Sequence, residues 1–401
     1  MKISSVALMV AAAAVLMPAA PSAREIKIGV ILPYSGESAQ FGEQINHGMQ
    51  LYYDEHKGEL GKNKLTLIKR DSKNPGGDTA KVMAQELITR DHVDMLAGFV
   101  YSPNAMAVAP LINEAKVPAI IMNAGTAQIT TMSPYFARVS FSMWHAGYTM
   151  GKYAAEKLHY KTAAVGYTDY PPGKDSLAAF KAGFESAGGK VVDAIPMGGP
   201  AKVPDFTPFF QRVKNEKPNA LFIFVPAGAH AAAVAKTYND LGMKADGIAL
   251  IGPGDITQDT ELNQMPKDAA GIVTSQHYAA DLDNPQNKAF VAAWKKAYGA
   301  NTTPDFMAEA GYDGMAAIFH AIKATKGDVK PAKVMAALEG WKFQAPRGPI
   351  EIDPQTRDIV MNEYISEVVL KDGHLGIKTL DTVPGVKDPC KAMKLGPCGK
   401  Q

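Results

Sequence analysis

The chain has 401 residues, of which 46% are hydrophobic and 20% charged, a globular composition that excludes disordered, collagenous and coiled-coil classes. Lys and Arg number 42 against 40 Asp and Glu, and the net charge of +2 gives no electrostatic footprint for nucleic acid. The cysteines, Cys390 and Cys398, both fall at the end of the chain, which rules out a disulfide scaffold or a Cys-rich metal domain.

Lys2 supplies a short basic start, Val6 to Met17 is apolar and Ala-rich, and small residues follow through Ala23. This pattern predicts a secretory signal peptide over residues 1–23, cut after Ala23. The apolar run is too short to span a bilayer, so the expected product is exported and soluble. Glu25 to Leu32 then reads as a buried strand. Ser38 to Lys57 reads as a helix, with Phe41, Ile45, Met49 and Tyr52 on one face. Lys64 to Arg70 is a strand, Gly77 to Arg90 a helix, and Val93 to Gly98 a short strand. Pro103 to Ala115 is a helix with Ser102 as its N-cap, and Val117 to Met122 is a strand.

The pattern then restarts. Helices are predicted over Trp144 to Leu158, Gly173 to Ala187, Phe206 to Asn215 and Ala229 to Leu241. Strands alternate with them at Thr162 to Tyr167, Val191 to Pro196, Ala220 to Val225 and Gly247 to Ile251. Helices Gln286 to Tyr298, Phe306 to Thr325 and Pro331 to Leu338 follow, then strands Pro349 to Ile352 and Asp358 to Val369. The Pro- and Lys-rich segment from Thr379 reads as irregular. Repeated β-α-β order argues for an α/β fold with doubly wound parallel sheets, one architecture used twice. In an oxidising compartment Cys390 and Cys398 would close a small loop through the Gly396-Pro397 turn.

In open α/β sheets ligands lie outside the carboxyl ends of strands. The third strand ends in Gly98-Phe-Val-Tyr101-Ser102-Pro103, where a hydroxyl and a helix N-terminus make an anion site without Lys or Arg. The fourth strand ends in Asn123-Ala124-Gly125-Thr126, whose small residues let backbone N–H groups approach a ligand. Together these segments could cradle one carboxylate. A plain helix cap and an ordinary tight turn are the alternatives.

Residues 25 to about 370 resemble the periplasmic leucine/isoleucine/valine-binding family, the type I solute-binding proteins of ABC importers. The resemblance runs through Ile28-Gly-Val-Ile-Leu-Pro-Tyr-Ser-Gly36, Ala39-Gln-Phe-Gly42, Gly98 to Ser102 and Asn123-Ala-Gly-Thr126. It continues through Leu241-Gly-Met-Lys244, Gly252-Pro253 and Arg347-Gly-Pro-Ile350. It implies two Rossmann-like lobes joined by three crossovers and closing over a ligand. The implied lobes are 25–142 plus 275–348 and 143–274 plus 349–378, with 379–401 as a tail. It also implies that Ser102, Ala124 and Thr126 hold the ligand carboxylate and that Phe41 lies against the ligand.

Amino-acid binders of this family carry a Glu directly after Gly-Pro, which pairs with the ligand ammonium. Here that position is Gly254, followed by Asp255, which can serve instead or can cap the next helix. A buried ammonium without a partner costs several kcal/mol. Trp144 and His145 stand where the family often has acidic residues, and Tyr170 is offset from a family aromatic. Tyr101, Trp144 and Tyr170 could stack on a ring, and His145, His230 or Asp255 could receive a phenol. The leading expectation is a periplasmic, monomeric, non-enzymatic binder of an aromatic carboxylate that delivers it to an ABC permease. A branched-chain or other aliphatic amino acid is the alternative ligand, and a periplasmic α/β enzyme a third reading. No dinucleotide turn, nucleophile elbow or zinc-site spacing of histidines supports the enzyme, and no cofactor or metal is expected.

Overall fold

The computed structural model describes residues 24–400, so the signal-peptide reading over 1–23 lies outside it. Strands β1 (Glu25–Leu32), β2 (Lys64–Asp71), β3 (Met95–Gly98), β4 (Ala119–Ile121) and β5 (Phe136–Arg138) form a parallel sheet in the order β2-β1-β3-β4-β5. Helices α1 (Ala39–His56), α2 (Gly77–Thr89), α3 (Ser102–Ala115) and α4 (Ile129–Met132) connect them. Alternation along β1 shows why the sheet is covered on both faces. Ile26, Ile28, Val30 and Leu32 enter one core, while Ile31 enters another with Leu96 and Ile121.

After α5 (Met143–Glu156), strands β6 (Thr162–Tyr167), β7 (Lys190–Pro196), β8 (Ala220–Phe224), β9 (Ala249–Pro253) and β10 (Val273–Gln276) build a second parallel array, ordered β10-β9-β8-β6-β7. Helices α6 (Pro171–Ser186), α7 (Thr207–Glu216) and α8 (Ala229–Asp240) cover it. Helices α9 (Pro285–Tyr298), α10 (Phe306–Ala324) and α11 (Pro331–Leu338) come next, and α10 packs on α1 beside the first sheet. Strands β11 (Lys342–Ala345), β12 (Gly348–Ile352), β13 (Ile359–Lys371) and β14 (His374–Val386) then extend the second sheet antiparallel, before the short α12 (Pro389–Ala392). This is the expected two-sheet α/β architecture.

The chain passes between the halves three times, after β5, after β10 and after α11. Arg347, in the turn between β11 and β12, is fully buried and ties that turn to the first passage and to α10. Its Nη1 donates to the Ser140 carbonyl at 2.9 Å, Nε lies 3.0 Å from Glu309, and Nη2 lies 2.7 Å from Asp313. A buried guanidinium without such partners would cost several kcal/mol.

Two expectations fail locally. The segment from Thr379 is not irregular but continues β14 to Val386. It is an edge strand, so Pro384 costs no ladder bond on its open side, and the register shift between Met361 and Glu363 absorbs Pro384-Gly385. Ser102 is not the N-cap of α3: Tyr101 takes that place and Ser102 opens the helix.

Candidate functional site

Each parallel array reverses its strand order once, between β1 and β3 and between β6 and β8. Ligands of such sheets lie outside the carboxyl ends at that reversal. The loops that leave these strands face one another here. They enclose a cleft of about 310 Å³, lined by Ser38, Phe41 and Tyr101 on one side and by Pro226, Ala227 and His230 on the other. The halves touch across it. Gln40 Nε2 donates to Glu261 Oε1 at 2.6 Å, and a side chain begun on Gly228 would lie 3.2 Å from the Phe41 ring.

The rings converge behind this mouth. Phe41, Tyr101, Phe224 and Ala227 belong to one apolar cluster against which Tyr34 and Tyr170 pack. Tyr170 stacks with Phe224 at a centroid distance of 6.1 Å. Burial, then the nearby Asp255 and Tyr101, pushes the Tyr170 hydroxyl well above its ordinary pKa. Tyr101 binds Ser38 through its hydroxyl. Asp255 is 7% exposed and its Oδ2 has no hydrogen-bond partner among the described residues. Burial lifts its pKa to about 7. The helix-cap alternative for Asp255 is not what forms: it lies inside a single 3₁₀ turn, Gly254–Thr257, whose cap position is Pro253. His230, the second residue of α8, is 7% exposed with Nε2 unpartnered, and burial lowers its pKa.

The small-residue turn after β4 is fastened from behind. Ser102 Oγ accepts from the Thr126 N–H at 3.0 Å, and the Ala124 N–H donates to the Phe99 carbonyl at 2.9 Å. The backbone donors of Ala124 and Thr126 are therefore engaged within the fold, against the expectation that they approach a ligand. The Thr126 hydroxyl is buried and unpartnered among the described residues. Phe99, before this constellation, has a left-handed backbone at φ 67°, a conformation that a bulky residue keeps only when its surroundings impose it.

Four charged residues that the sequence reading passed over hold the turn. Arg138 is fully buried and donates to the carbonyls of Ala124 and Thr126, each at 2.9 Å. Its Nε pairs with Asp358 at 2.6 Å. Asp175 accepts from the Ala127 N–H at 2.8 Å, and Lys391 donates to the Ala127 carbonyl. Burial raises the pKa of Asp358, but Arg138 and Lys391 outweigh it and hold the group at about 2. The one available signal was an arginine in the otherwise apolar run Phe136-Ala-Arg-Val139.

Trp144 and His145 are not brought to the cleft. Trp144 packs with Ala127, Ala179, Cys390 and Cys398, which form the expected disulfide. His145 closes a capping box with Ser142 and aims Nε2 at the Ile359 carbonyl at 3.2 Å, so both ring nitrogens are used by the scaffold. At the Gly254 position the side chain of Gln276 fills the space. A Cβ there would lie 2.6 Å from the Gln276 Cβ, closer than atoms can approach. Both amide atoms of Gln276 are buried without partners among the described residues.

Among the described residues no group of three or more His, Cys, Asp or Glu side chains is placed to hold a metal, and no helix is long and apolar enough to cross a membrane. Residues 25–374 match the family model described as periplasmic binding protein. A Leu/Ile/Val-binding protein homolog of Brucella melitensis is 38% identical over 375 residues, covering 93% of this chain and 95% of its own. A solute-binding protein of an ABC transporter from Rhodopseudomonas palustris, solved with 3,4-dihydroxybenzoic acid, is 43% identical with a TM-score of 0.86, covering 92% of this chain and 99% of its own. A second R. palustris solute-binding protein, solved with 4-hydroxybenzoate, is 39% identical with a TM-score of 0.86, covering 91% and 98%. Two reversed parallel arrays, a cleft between their carboxyl edges and a match along nearly the whole length agree: the chain belongs to the periplasmic binding protein family of ABC-transporter solute-binding proteins.

Proposed function

We propose that this protein captures a small aromatic carboxylate, of the benzoate or phenylpropanoid kind, between two hinged lobes. Adjusted to the two sheets, the lobes are residues 25–142 plus 277–341 and 143–276 plus 342–386, with 387–401 as a tail. The ligand stabilises the closed arrangement by binding it better than the open one. It is held without chemical turnover and handed to a membrane ABC permease. The protein acts as a monomer in the periplasm, after removal of residues 1–23.

In this reading the Ser102 and Thr126 hydroxyls hold the carboxylate, with Ala124 keeping the turn compact. Phe41, Tyr101 and Tyr170 flank the ring, and His230 and Asp255 meet its polar substituents. Trp144 and His145 hold the scaffold. The observation that carries this reading is Gly254. Gln276 occupies the space that an ammonium-pairing glutamate needs, so an α-amino acid would bury its cation without that partner. The two R. palustris relatives solved with hydroxylated benzoates point the same way. A thermal-shift panel tests it, with benzoate, 4-hydroxybenzoate and 3,4-dihydroxybenzoate set against leucine, isoleucine and valine. Stabilisation by at least one aromatic acid and by none of the amino acids is the expected outcome.

A second reading keeps the class and makes the ligand an aliphatic amino acid. The Brucella relative's description as a Leu/Ile/Val-binding homolog favours it, and an ionised Asp255 could then replace the missing glutamate. Stabilisation by leucine or valine alone would select it.

A further inference from the structure

We propose that the disulfide-closed tail, acting through Lys391, positions the carboxylate-holding turn, so that ligand affinity depends on the Cys390–Cys398 bond; this rests on assigning Ser102 and Thr126 to the ligand carboxylate. The tail lies more than 260 residues beyond the turn in sequence, yet it contacts it directly. Cys390 is fully buried, Cys398 is 8% exposed, and both pack with Ala127 and Trp144. Gly396, inside the closed loop, lies against the Trp144 ring so closely that a Cβ would come within 2.6 Å.

Lys391 follows the first cysteine. Its side chain is 7% exposed, and its Nζ reaches the Ala127 carbonyl, Asp358, and Asp388 at 3.2 Å. Asp358 is shared with Arg138, which grips the Ala124 and Thr126 carbonyls. Two buried cations bridged by one carboxylate thus hold three carbonyls of the turn. The Thr126 hydroxyl on this fastened turn is buried and has no partner among the described residues.

The disulfide matters because of what holds the tail otherwise. The Leu395 N–H binds the Cys390 carbonyl at 2.8 Å and the Cys398 N–H binds the Leu395 carbonyl at 3.0 Å, both within the loop itself. Opening the S–S bond restores the freedom of a short chain end and loosens the Gly396 wedge against Trp144. The paired end of β14 and the Asp388 cap of α12 hold Lys391 from its N-terminal side, so the bond acts by keeping the loop that follows Lys391 packed against Ala127 and Trp144. The desolvation of the buried ammonium offsets much of what its pairs contribute, so its hold on the turn depends on the packing around it.

The test is calorimetric titration of the full chain with 4-hydroxybenzoate. It compares the oxidised protein, the same protein treated with a phosphine reductant, Lys391→Met, and the Cys390→Ser/Cys398→Ser pair. Each substitution is repeated in a Thr126→Val background, and unfolding of each protein is followed without ligand. The expected result is affinity weakened about five-fold or more by reduction and by both sets of substitutions, falling to less than about two-fold with Thr126→Val, because the tail acts through that turn. Unchanged affinity after reduction and in both variants overturns the proposal. So does a loss that is the same in the two backgrounds, since a plain strap would act additively. Reduction of the wild-type chain keeps the question decidable if Lys391→Met does not fold. If the wild type binds no aromatic acid, the aromatic reading fails on its own, and the comparison is made with leucine, which carries the same carboxylate.

Discussion

Ser102 Oγ accepts a hydrogen bond from the Thr126 N–H at 3.0 Å, joining the end of β3 to the turn after β4 across 24 residues of sequence. The pair brings two hydroxyls to one buried place, and only the Ser102 oxygen has a partner there. Removing either hydroxyl should weaken binding of an aromatic acid by ~1–3 kcal/mol, the worth of a hydrogen bond to a charged group. Calorimetry on Ser102→Ala and Thr126→Val measures this. Wild-type affinity in both would remove the carboxylate from this corner.

Asp255 gives the site a pH dependence of definite sign. Its folded pKa, about 7, lies above its ordinary 3.8. A raised value favours the acid form, so its contribution to stability is full below about pH 4 and is lost as pH rises through about 7. An ionised Asp255 also repels an anionic ligand. Affinity for an aromatic acid should therefore fall by up to roughly ten-fold per pH unit above 7, and Asp255→Asn should flatten the profile. A flat wild-type profile between pH 6 and about 8.5 would take Asp255 out of the ligand's reach.

Gly254→Glu tests the selectivity argument. A glutamate there must displace Gln276, whose Cβ lies 2.6 Å from the new Cβ. The variant should lose stability by ~1–3 kcal/mol from overpacking and bind aromatic acids more weakly. Gain of leucine binding with no loss of stability would show that Gln276 does not close that space.

His145→Ala separates scaffold from site. The ring spends Nδ1 on Ser142 and Nε2 on Ile359, so its loss should cost ~1–3 kcal/mol of unfolding free energy. The order of ligand preference should stay the same. A changed order in a folded His145→Ala protein would return this residue to the cleft.

The alternation of strands and helices was legible because each element carries its own period and its own breakers. Phe41, Ile45 and Met49 show this in α1, as do the glycines after α6. Strands β5, β10 and β11 escaped because their three or four residues include Arg138, Gln276 and Lys342 and lack the longer apolar run around the equally short β4, and β14 escaped because Pro384-Gly385 and its exposed polar residues mimic a loop. At the site, Ser102 and Thr126 could be read from the strand ends that carry them. Trp144 and His145 could not be placed, since an aromatic near a crossover has the same sequence signature whether it faces the cleft or the tail. Arg138, Asp358 and Lys391 meet only through tertiary structure, with 220 or more residues between the turn and Asp358, and no local spacing announces that clamp.

The most direct test of the account is calorimetry on the purified protein, stripped of bound material by unfolding and refolding, titrated in turn with 4-hydroxybenzoate and leucine. The account predicts one-to-one saturable binding of the aromatic acid and no heat of binding from leucine. Saturable binding of leucine with none of 4-hydroxybenzoate, benzoate or 3,4-dihydroxybenzoate would contradict it.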